Sequence, residues 1–525
     1  MKLIFSTLKY SKLIILSWFF LILFSGCESE PIVVDILIQN GIVYNGVDTN
    51  SQKVSIGILE DKIVFIGNEK GKLIEAKKTI DAAGLIVCPG FIDPHTHSDR
   101  ELKVPEKSHN IPFLMQGITT VVAGNDGSSF FPTKDFKELY EKHGIGTNAV
   151  LLAGHGTIRK LVVGRTNRKA TKEEMKNMES LVQKEMDAGA FGLSTGLFYA
   201  PGSYGDTDEI IALAKVVAKN NGIYDSHIRD EGSYTIGLKG AIEETIEIGR
   251  QAKLPIHIAH IKCLGVDVWN QSHDIIELIE KARKEGIDVT ADQYPYDASA
   301  TGLQAATVPR WAESGGKDSL FFRYNQAQLR DKVLKETKEN ITRRGGPDKL
   351  LFVQTDDSMY VGKNLKEVAE ILQLPPEAAV YAVLKDRGVR VASFNMTQND
   401  IYNFMKQPWV VTGSDGNSGH PRKYGSFPRK YHKYVQQEKV ISLPIFINGS
   451  TSKTAEILKI PNRGKLQEGY FADVIIFNPN TFKDIADYTN AFEIATGLEF
   501  SIINGKLSVE DGKFTDQLNG RVLTK

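Results

Sequence analysis

The chain has 525 residues, 41% hydrophobic and 24% charged, the make-up of an ordinary globular protein with room for one large domain and a satellite, or for two to three domains. Lys plus Arg and Asp plus Glu each number 64, so the formal net charge is zero and the balance argues against a nucleic-acid partner. Three cysteines, Cys27, Cys88 and Cys263, are too few for a disulfide framework.

At the N-terminus, Lys2, Lys9 and Lys12 flank an apolar stretch, Leu13–Phe24, that is too short to span a bilayer comfortably. It runs into Leu23–Phe24–Ser25–Gly26–Cys27, which resembles a bacterial lipobox except that Phe24 stands where leucine is usual. The expectation is a lipoprotein signal peptide over 1–27, with Cys27 acylated and the protein anchored to a membrane of the bacterial cell envelope. An ordinary cleaved signal and an uncleaved anchor are the competing readings.

Residues 33–87 alternate apolar and polar in short runs (Val33–Gln39, Val54–Leu59, Lys62–Gly67) separated by turn pairs such as Asn40–Gly41, which is hairpin chemistry. The C-terminal segment repeats the style in Ala472–Phe477 and Phe500–Asn504. Between them strands and helices alternate. Eight strands are predicted: Leu85–His97, Ile118–Asn125, Ala149–His155, Phe191–Gly196, Ile223–Arg229, Ile256–Lys262, Asp288–Tyr296 and Trp409–Asp415. Helix-period segments such as Thr171–Ala188, Thr207–Asn220, Ile236–Ala252 and Ser272–Glu285 lie between them.

The fold class expected is α/β: a (β/α)8 TIM-like barrel over 88–454, with a small composite β-sandwich domain from both termini (33–87 and 455–525). The gap between the seventh and eighth strands is too long for one crossover, so a lid is expected as an insertion at about 302–350. A short strand at 348–354 leaves the barrel count open. No glycine-rich dinucleotide fingerprint follows any strand.

The strand ends carry the chemistry. His95 and His97 are two apart, so on a strand they share a face and can bind one ion. His227 and His260 each close an apolar strand; either alone reads as a buried core histidine, but with the first pair they make a ligand set. Asp415 closes the last strand, where a carboxylate beside a metal can take a proton from water and pass it to a leaving group; the competing reading is a helix N-cap. Cys88 and Cys263 read as buried thiols.

These strings, in this order, resemble the amidohydrolase superfamily and within it the N-acyl-D-amino-acid deacylase (D-aminoacylase) family. Carrying the resemblance are Gly154–His155–Gly156–Thr157, Gly192–Leu193–Ser194–Thr195–Gly196–Leu197, His227–Ile228–Arg229–Asp230–Glu231, His260–Ile261–Lys262, Asp292–Gln293–Tyr294–Pro295–Tyr296, His420–Pro421–Arg422–Lys423–Tyr424–Gly425 and the run Gly464–Asp473. The resemblance implies a barrel with a composite β-domain, one or two Zn2+ ions, and hydrolysis of the amide bond of an N-acyl-D-amino acid or of a dipeptide ending in a D-residue. It implies His95, His97, His227 and His260 as metal ligands, Asp415 as catalytic acid–base, and Lys262, Tyr294 and Arg422 as the groups holding the substrate carboxylate. The bland readings are a snorkelling Lys262, a core Tyr294 and a surface ion pair for Arg422.

One position departs from the pattern. Relatives carry cysteine where this chain has Asp126, and many other amidohydrolases bridge two ions with a carboxylated lysine from the fourth strand. Phe191–Gly196 offers no Lys, Glu or Cys, which leaves Asp126 as the bridging candidate, or as a turn aspartate that binds nothing. The remaining functional alternatives are a dihydroorotase, hydantoinase or isoaspartyl-dipeptidase type of amidohydrolase, and a non-catalytic binding lipoprotein on the same fold. The expected partners are a small-molecule substrate and, through Cys27, a membrane; the sequence sets no oligomeric state.

Overall fold

The computed structural model describes residues 31–70, 72–385 and 388–525; the signal segment and Cys27 lie outside the described residues. Eight strands make the barrel: β1 (Phe91–Asp93), β2 (Ile118–Ala123), β3 (Asn148–Leu151, continued by Ala153–Gly154), β4 (Gly192–Gly196), β5 (Ile223–His227), β6 (Ile256–Ile258), β7 (Val289–Gln293) and β8 (Val410–Thr412). Within two sheets every neighbouring pair of these strands is parallel. The ring closes between β8 and β1, where Thr96 bridges Gly416 and the Asp415 N–H donates to the His95 carbonyl at 2.9 Å.

Side-chain alternation along each strand sets the layers. On β5, Tyr224 packs outward with the helices, while Ile223 joins an apolar plug with Ile92, Val122, Val150 and Leu458 at the lower end of the barrel. Asp225 and His227 share the face of Ile223, so the same strand supplies the plug, a buried carboxylate and a histidine at its C-terminal end. On β6 and β7, Ile256, Ile258, Val289 and Ala291 enter the outer core, leaving His257, Thr290 and Asp292 on the other face. His257 bridges Thr290 Oγ1 at 2.9 Å and Asp292 Oδ2 at 3.1 Å.

The crossover helices start where their first-turn residues dictate. Lys172–Asp187 opens with a capping box between Thr171 and Glu174, and Thr207–Lys219 with the Asp206 side chain accepting from the Glu209 N–H. Their buried faces (Met178, Val182, Leu213, Ala214) meet Leu193 and Tyr224 of the strands. Burying Met178, Val182 or Leu213 contributes about 1.5–3 kcal/mol each, and Ala214 less.

The predicted first strand, Leu85–His97, is two strands in different sheets. Ile86–Pro89 pairs antiparallel with Val474–Phe477, and only Phe91–Asp93 belongs to the barrel. The chain changes sheet at Gly90, where a Cβ would collide with the Thr119 side chain. Ile86–Pro89 lies in a six-stranded sheet with Leu498–Ile503 and Lys506–Glu510; Ile32–Gln39, Ser55–Leu59, Lys62–Gly67 and Ile74–Asp81 form a four-stranded one. Ile38, Ile56, Ile80, Val87, Val474 and Ile502 pack together between them. N- and C-terminal segments therefore build one sandwich.

The insertion is longer than the 302–350 expected. Its sheet joins Ala298–Gly302, Leu350–Thr355 and Val389–Phe394, all antiparallel, and so spans nearly the whole interval between β7 and β8. Helices Lys317–Asn325, Ala327–Arg343, Leu365–Leu372 and Pro376–Leu384 complete it, around a core of its own that includes Leu303, Val333, Phe352, Leu365 and Val391. The strand foreseen at 348–354 belongs to this sheet and not to the barrel. Among the described residues no helix is long and apolar enough to cross a membrane.

Sandwich and barrel are joined by a buried polar knot. The Arg463 guanidinium pairs with Asp473 and donates to Asn504 Oδ1 at 2.7 Å, and Asn148 of β3 donates to Asp473 Oδ2 at 3.2 Å. Asp473→Ala leaves the Arg463 charge buried and unpaired, so a loss of about 3–5 kcal/mol is expected in urea unfolding. A loss below about 1 kcal/mol would show that the knot does not hold the two bodies together.

Candidate metal centre

At the C-terminal ends of β1, β2, β5, β6 and β8 the chain brings four imidazoles around one carboxylate. Asp126 Oδ1 lies 3.3 Å from His95 Nε2, 3.4 Å from His227 Nδ1 and 3.4 Å from His260 Nε2; its Oδ2 lies 3.4 Å from His97 Nε2. His227 Nδ1 and His260 Nε2 are 2.9 Å apart. Asp415 Oδ1 faces the first pair, 3.2 Å from His97 Nε2 and 3.8 Å from His95 Nε2.

The 3.3 to 3.4 Å separations around Asp126 fit the ligand edges of a metal site, while the 2.9 Å contact between His227 and His260 is of hydrogen-bond length. A tetrahedral ion with ligand bonds near 2.0–2.1 Å has ligand–ligand edges of about 3.3 Å. His95 Nε2 and Asp126 Oδ1 are buried and have no hydrogen-bond partner, a costly state unless a cation takes their lone pairs. The donors His95, Asp126, His260 and Asp415 lie within 4.8 Å of one another. Nitrogen and carboxylate oxygen are donors that zinc accepts, and carboxylate also suits harder divalent ions. Asp126 spans both histidine pairs, so it stands where a bridging ligand would, and Asp415 stands where it serves either as a ligand or as a proton acceptor.

The backbone is bent to achieve this. Asp126, His260 and Asp415 all have positive φ, at 55°, 36° and 47°, a region that L-residues adopt at a cost and that concentrates at functional sites. Asn125 fixes the turn, donating to the Pro94 carbonyl and to Asp225 Oδ2, each at 3.2 Å. The Gly127 N–H donates to Ser194 Oγ of β4 at 3.1 Å. At Gly196, the last residue of β4, a Cβ would fall on the Asp126 carbonyl oxygen. The Asp126 turn thereby excludes a side chain at the end of the fourth strand.

Second contacts set the imidazoles' roles. Glu231 Oε1 is 3.1 Å from His260 Nδ1, and Glu231 also pairs with Lys262. A His260 that offers Nε2 to a metal carries its proton on Nδ1 and donates it to Glu231. Glu231 closes the His227–Glu231 motif without a role legible from sequence; its signal is the four-residue spacing from His227. Lys262, expected to hold the substrate carboxylate, pairs with Glu231 and lies 2.8 Å from His260 Nδ1. Arg422 is buried, donates from Nη2 to Asp415 Oδ2 at 2.6 Å and stacks on the Tyr294 ring at 4.5 Å. Its Nε and Nη1, like the Tyr294 hydroxyl, are buried without partners.

The charge states follow from these neighbours. Burial opposes ionisation of Asp126, but His95 and His227 hold its carboxyl well below the usual range. Burial likewise opposes ionisation of Asp415, and Arg422 and His260 outweigh it. Burial disfavours a charged His97, yet Asp126 and Asp415 carry it up to about 9. Burial and Lys262 disfavour a charged His260, while Glu231, Asp415 and Asp126 raise it to about 10.

The model of the Amidohydrolase family matches residues 78–508. A D-aminoacylase of Alcaligenes xylosoxydans xylosoxydans is 30% identical, the alignment covering 95% of this chain and 99% of that one. An N-acyl-D-aspartate deacylase of the same organism is 28% identical, over 94% of this chain and 95% of its own. The crystal structure of an N-acyl-D-glutamate deacylase from Bordetella bronchiseptica, complexed with zinc and a phosphonate inhibitor, superposes with a TM-score of 0.80 at 26% identity, over 94% of this chain and all of that one.

Two outcomes test the centre. Glu231→Gln removes the acceptor that orients His260 and is expected to weaken metal binding about 10- to 100-fold in competition with a chromogenic chelator; unchanged affinity would remove Glu231 from the site. In chelator-treated protein, His97 and His260 have pKa values raised above the unfolded value of about 6.5, so their stabilisation is complete below that pH and is lost as pH rises toward 9 to 10. Metal must displace those protons, so its binding tightens over the same window, as denaturation and metal titration at about pH 6, 8 and 9.5 would record.

Proposed function

Because the chain belongs to the Amidohydrolase family, we propose that it hydrolyses the amide bond of N-acyl-D-amino acids, or of dipeptides with a C-terminal D-residue, using one or two zinc ions. The observation that carries the reading is the single carboxylate of Asp126 facing four histidines, with Asp415 beside them, at the mouth of the barrel. The likeness to D-aminoacylase and to the N-acyl-D-aspartate and N-acyl-D-glutamate deacylases supports the substrate class.

His95, His97, Asp126, His227 and His260 would hold the metal, which when bound polarises the amide carbonyl and makes water nucleophilic near neutral pH. Asp415 is kept ionised by Arg422, His260 and His97, the state that accepts a proton from the attacking water. The same carboxyl then returns the proton to the departing amine nitrogen. Arg422 Nε and Nη1 and the Tyr294 hydroxyl are donors awaiting an acceptor, and we assign them the substrate carboxylate. Lys262 is assigned to the same carboxylate through its remaining N–H, while its contacts to Glu231 and His260 fix its position. Fixing the carboxylate orients the scissile bond, which lowers the barrier independently of charge. The N-terminal signal and Cys27 complete the proposal with an envelope lipoprotein facing D-amino-acid derivatives outside the cytoplasm.

The test is amine release from paired N-acetyl-D- and N-acetyl-L-amino acids by protein lacking residues 1–27, with metals counted on the same sample. D-selective release is expected. Asp415→Asn is expected to cut kcat by about 10²- to 10⁴-fold while bound metal persists. Full activity in that variant would exclude Asp415 as the acid–base.

A further inference from the structure

Of the buried histidines among the described residues, His420 alone has no carboxylate within ion-pair distance. Both of its ring nitrogens go to the backbone instead. Nδ1 accepts the Arg422 N–H at 3.0 Å, and Nε2 donates to the Ala298 carbonyl at 3.2 Å. The two contacts specify one neutral tautomer, protonated on Nε2. Burial, and after it Arg422, holds the imidazole well below its ordinary pKa against the pull of Asp415, so the ring stays in that form. It makes T-shaped contacts with Tyr296 and Tyr488, at centroid distances of 5.4 and 5.1 Å.

The two backbone groups belong to different parts of the molecule. Arg422 opens the helix Arg422–Arg429 in the loop after β8, and Pro421 before it offers no side-chain acceptor for a first-turn N–H. His420 supplies that acceptor. Ala298 begins the sheet of the insertion, and Ala300, two residues on, lines the cleft of ≈ 390 Å³ over Asp126 and Asp415. Arg422 Nη2 lies 3.5 Å from the Ala300 carbonyl and 2.6 Å from Asp415 Oδ2. Tyr488, from the connection between Val474–Phe477 and Leu498–Ile503 of the sandwich, packs on His420 and also on Phe394, the cross-strand partner of Ala298. One imidazole thus ties a barrel loop, the insertion and a sandwich loop together beside the guanidinium.

We propose that His420 is a positioning residue for the deacylation. Through Nδ1 it fixes the start of the helix, and so holds the Arg422 guanidinium on the Tyr294 ring and against Asp415, with Nε and Nη1 left for the substrate carboxylate. Through Nε2 it ties that arrangement to the wall of the cleft. It acts through Arg422 and exchanges no proton itself. A guanidinium whose backbone anchor drifts by about 1 Å misplaces the bound carboxylate, an error of the size that costs about 10²-fold in rate. The inference rests on the deacylase reading and deepens it.

Three substitutions separate the two contacts. In His420→Asn the amide oxygen falls near the place of Nδ1 and keeps an acceptor for the Arg422 N–H. In His420→Gln the longer amide reaches toward Ala298 and leaves that N–H without one. His420→Leu keeps neither contact. With metal-loaded protein and N-acetyl-D-leucine, kcat/KM is expected to fall about 10- to 100-fold in the Gln and Leu variants, with KM rising, and by less than about threefold in the Asn variant. Where the Leu variant does not fold, the comparison of Asn with Gln decides. Equal losses in Asn and Gln, as a purely structural role would give, overturn the inference and leave the deacylase reading standing. So does a KM unmoved in every variant. Release by the unsubstituted protein from neither N-acetyl-D-leucine nor any other N-acetyl-D-amino acid counts against that reading itself. Calorimetry with D-leucine then judges His420 alone: affinity about tenfold weaker in Gln and kept in Asn is expected, and equal or undetectable affinity overturns the inference there too.

Discussion

Everything at the mouth of this barrel is arranged around one buried carboxylate. Asp126 puts an oxygen 3.3 to 3.4 Å from a nitrogen of each of four histidines that arrive from three different strand ends. Once the histidines give up their protons, these buried lone pairs face one another and are tolerated only where a cation binds them together. The donor set therefore makes sense as a metal site, and the surrounding strain makes sense as the means of building it. The left-handed turn at Asp126, the Asn125 hydrogen bonds and the bare Cα of Gly196 are one device for bringing that carboxylate over the barrel axis.

Below the site the barrel interior is polar where apolar packing would be cheaper. Asp93, Asp225, His257 and Asp292 are all buried. Burial pushes the Asp93 carboxyl up to about 7 and that of Asp225 up to about 6. Asp93 spends Oδ1 on the backbone N–H groups of His95 and Ser414, the residues flanking the β1–β8 seam. Asp225 takes the amide of Asn125. These carboxylates hold the loops that hold the ligands, so stability given up in the barrel interior becomes precision at its rim. The insertion works from the other side. Its sheet places Arg390 and Ala300 over the same mouth, turning an open barrel end into a walled cleft.

Much of this was legible in the chain because barrels write their chemistry at regular places. A strand is a short apolar run, its last residue faces the mouth, and a histidine or aspartate there is conspicuous against apolar neighbours. His95, His97, His227, His260 and Asp415 stand out on that ground, Asp126 by its departure from the family's cysteine, and the structure brings all six together. Glu231 did not stand out, since an acid in a polar loop is ordinary until its oxygen is found against His260 Nδ1. The carboxylate partner of Lys262 was equally hidden, since Glu231 arrives from the preceding strand's loop.

What depends on neighbours along the chain could be read from it directly: the alternation of strands and helices and the histidines at strand ends. The sheet change at Gly90 could not, because Leu85–His97 reads as one continuous strand. What depends on residues far apart in the chain emerged only with the fold. It set which nitrogen of each imidazole faces Asp126, and it gave Arg422 to Asp415 and Lys262 to Glu231. It also extended the insertion, because strand 298–302 finds its partner at 390–394, some ninety residues later. Periodicity reports which face of a segment is buried; it carries no information about what that face is buried against. In this molecule the chemistry lies in those pairings.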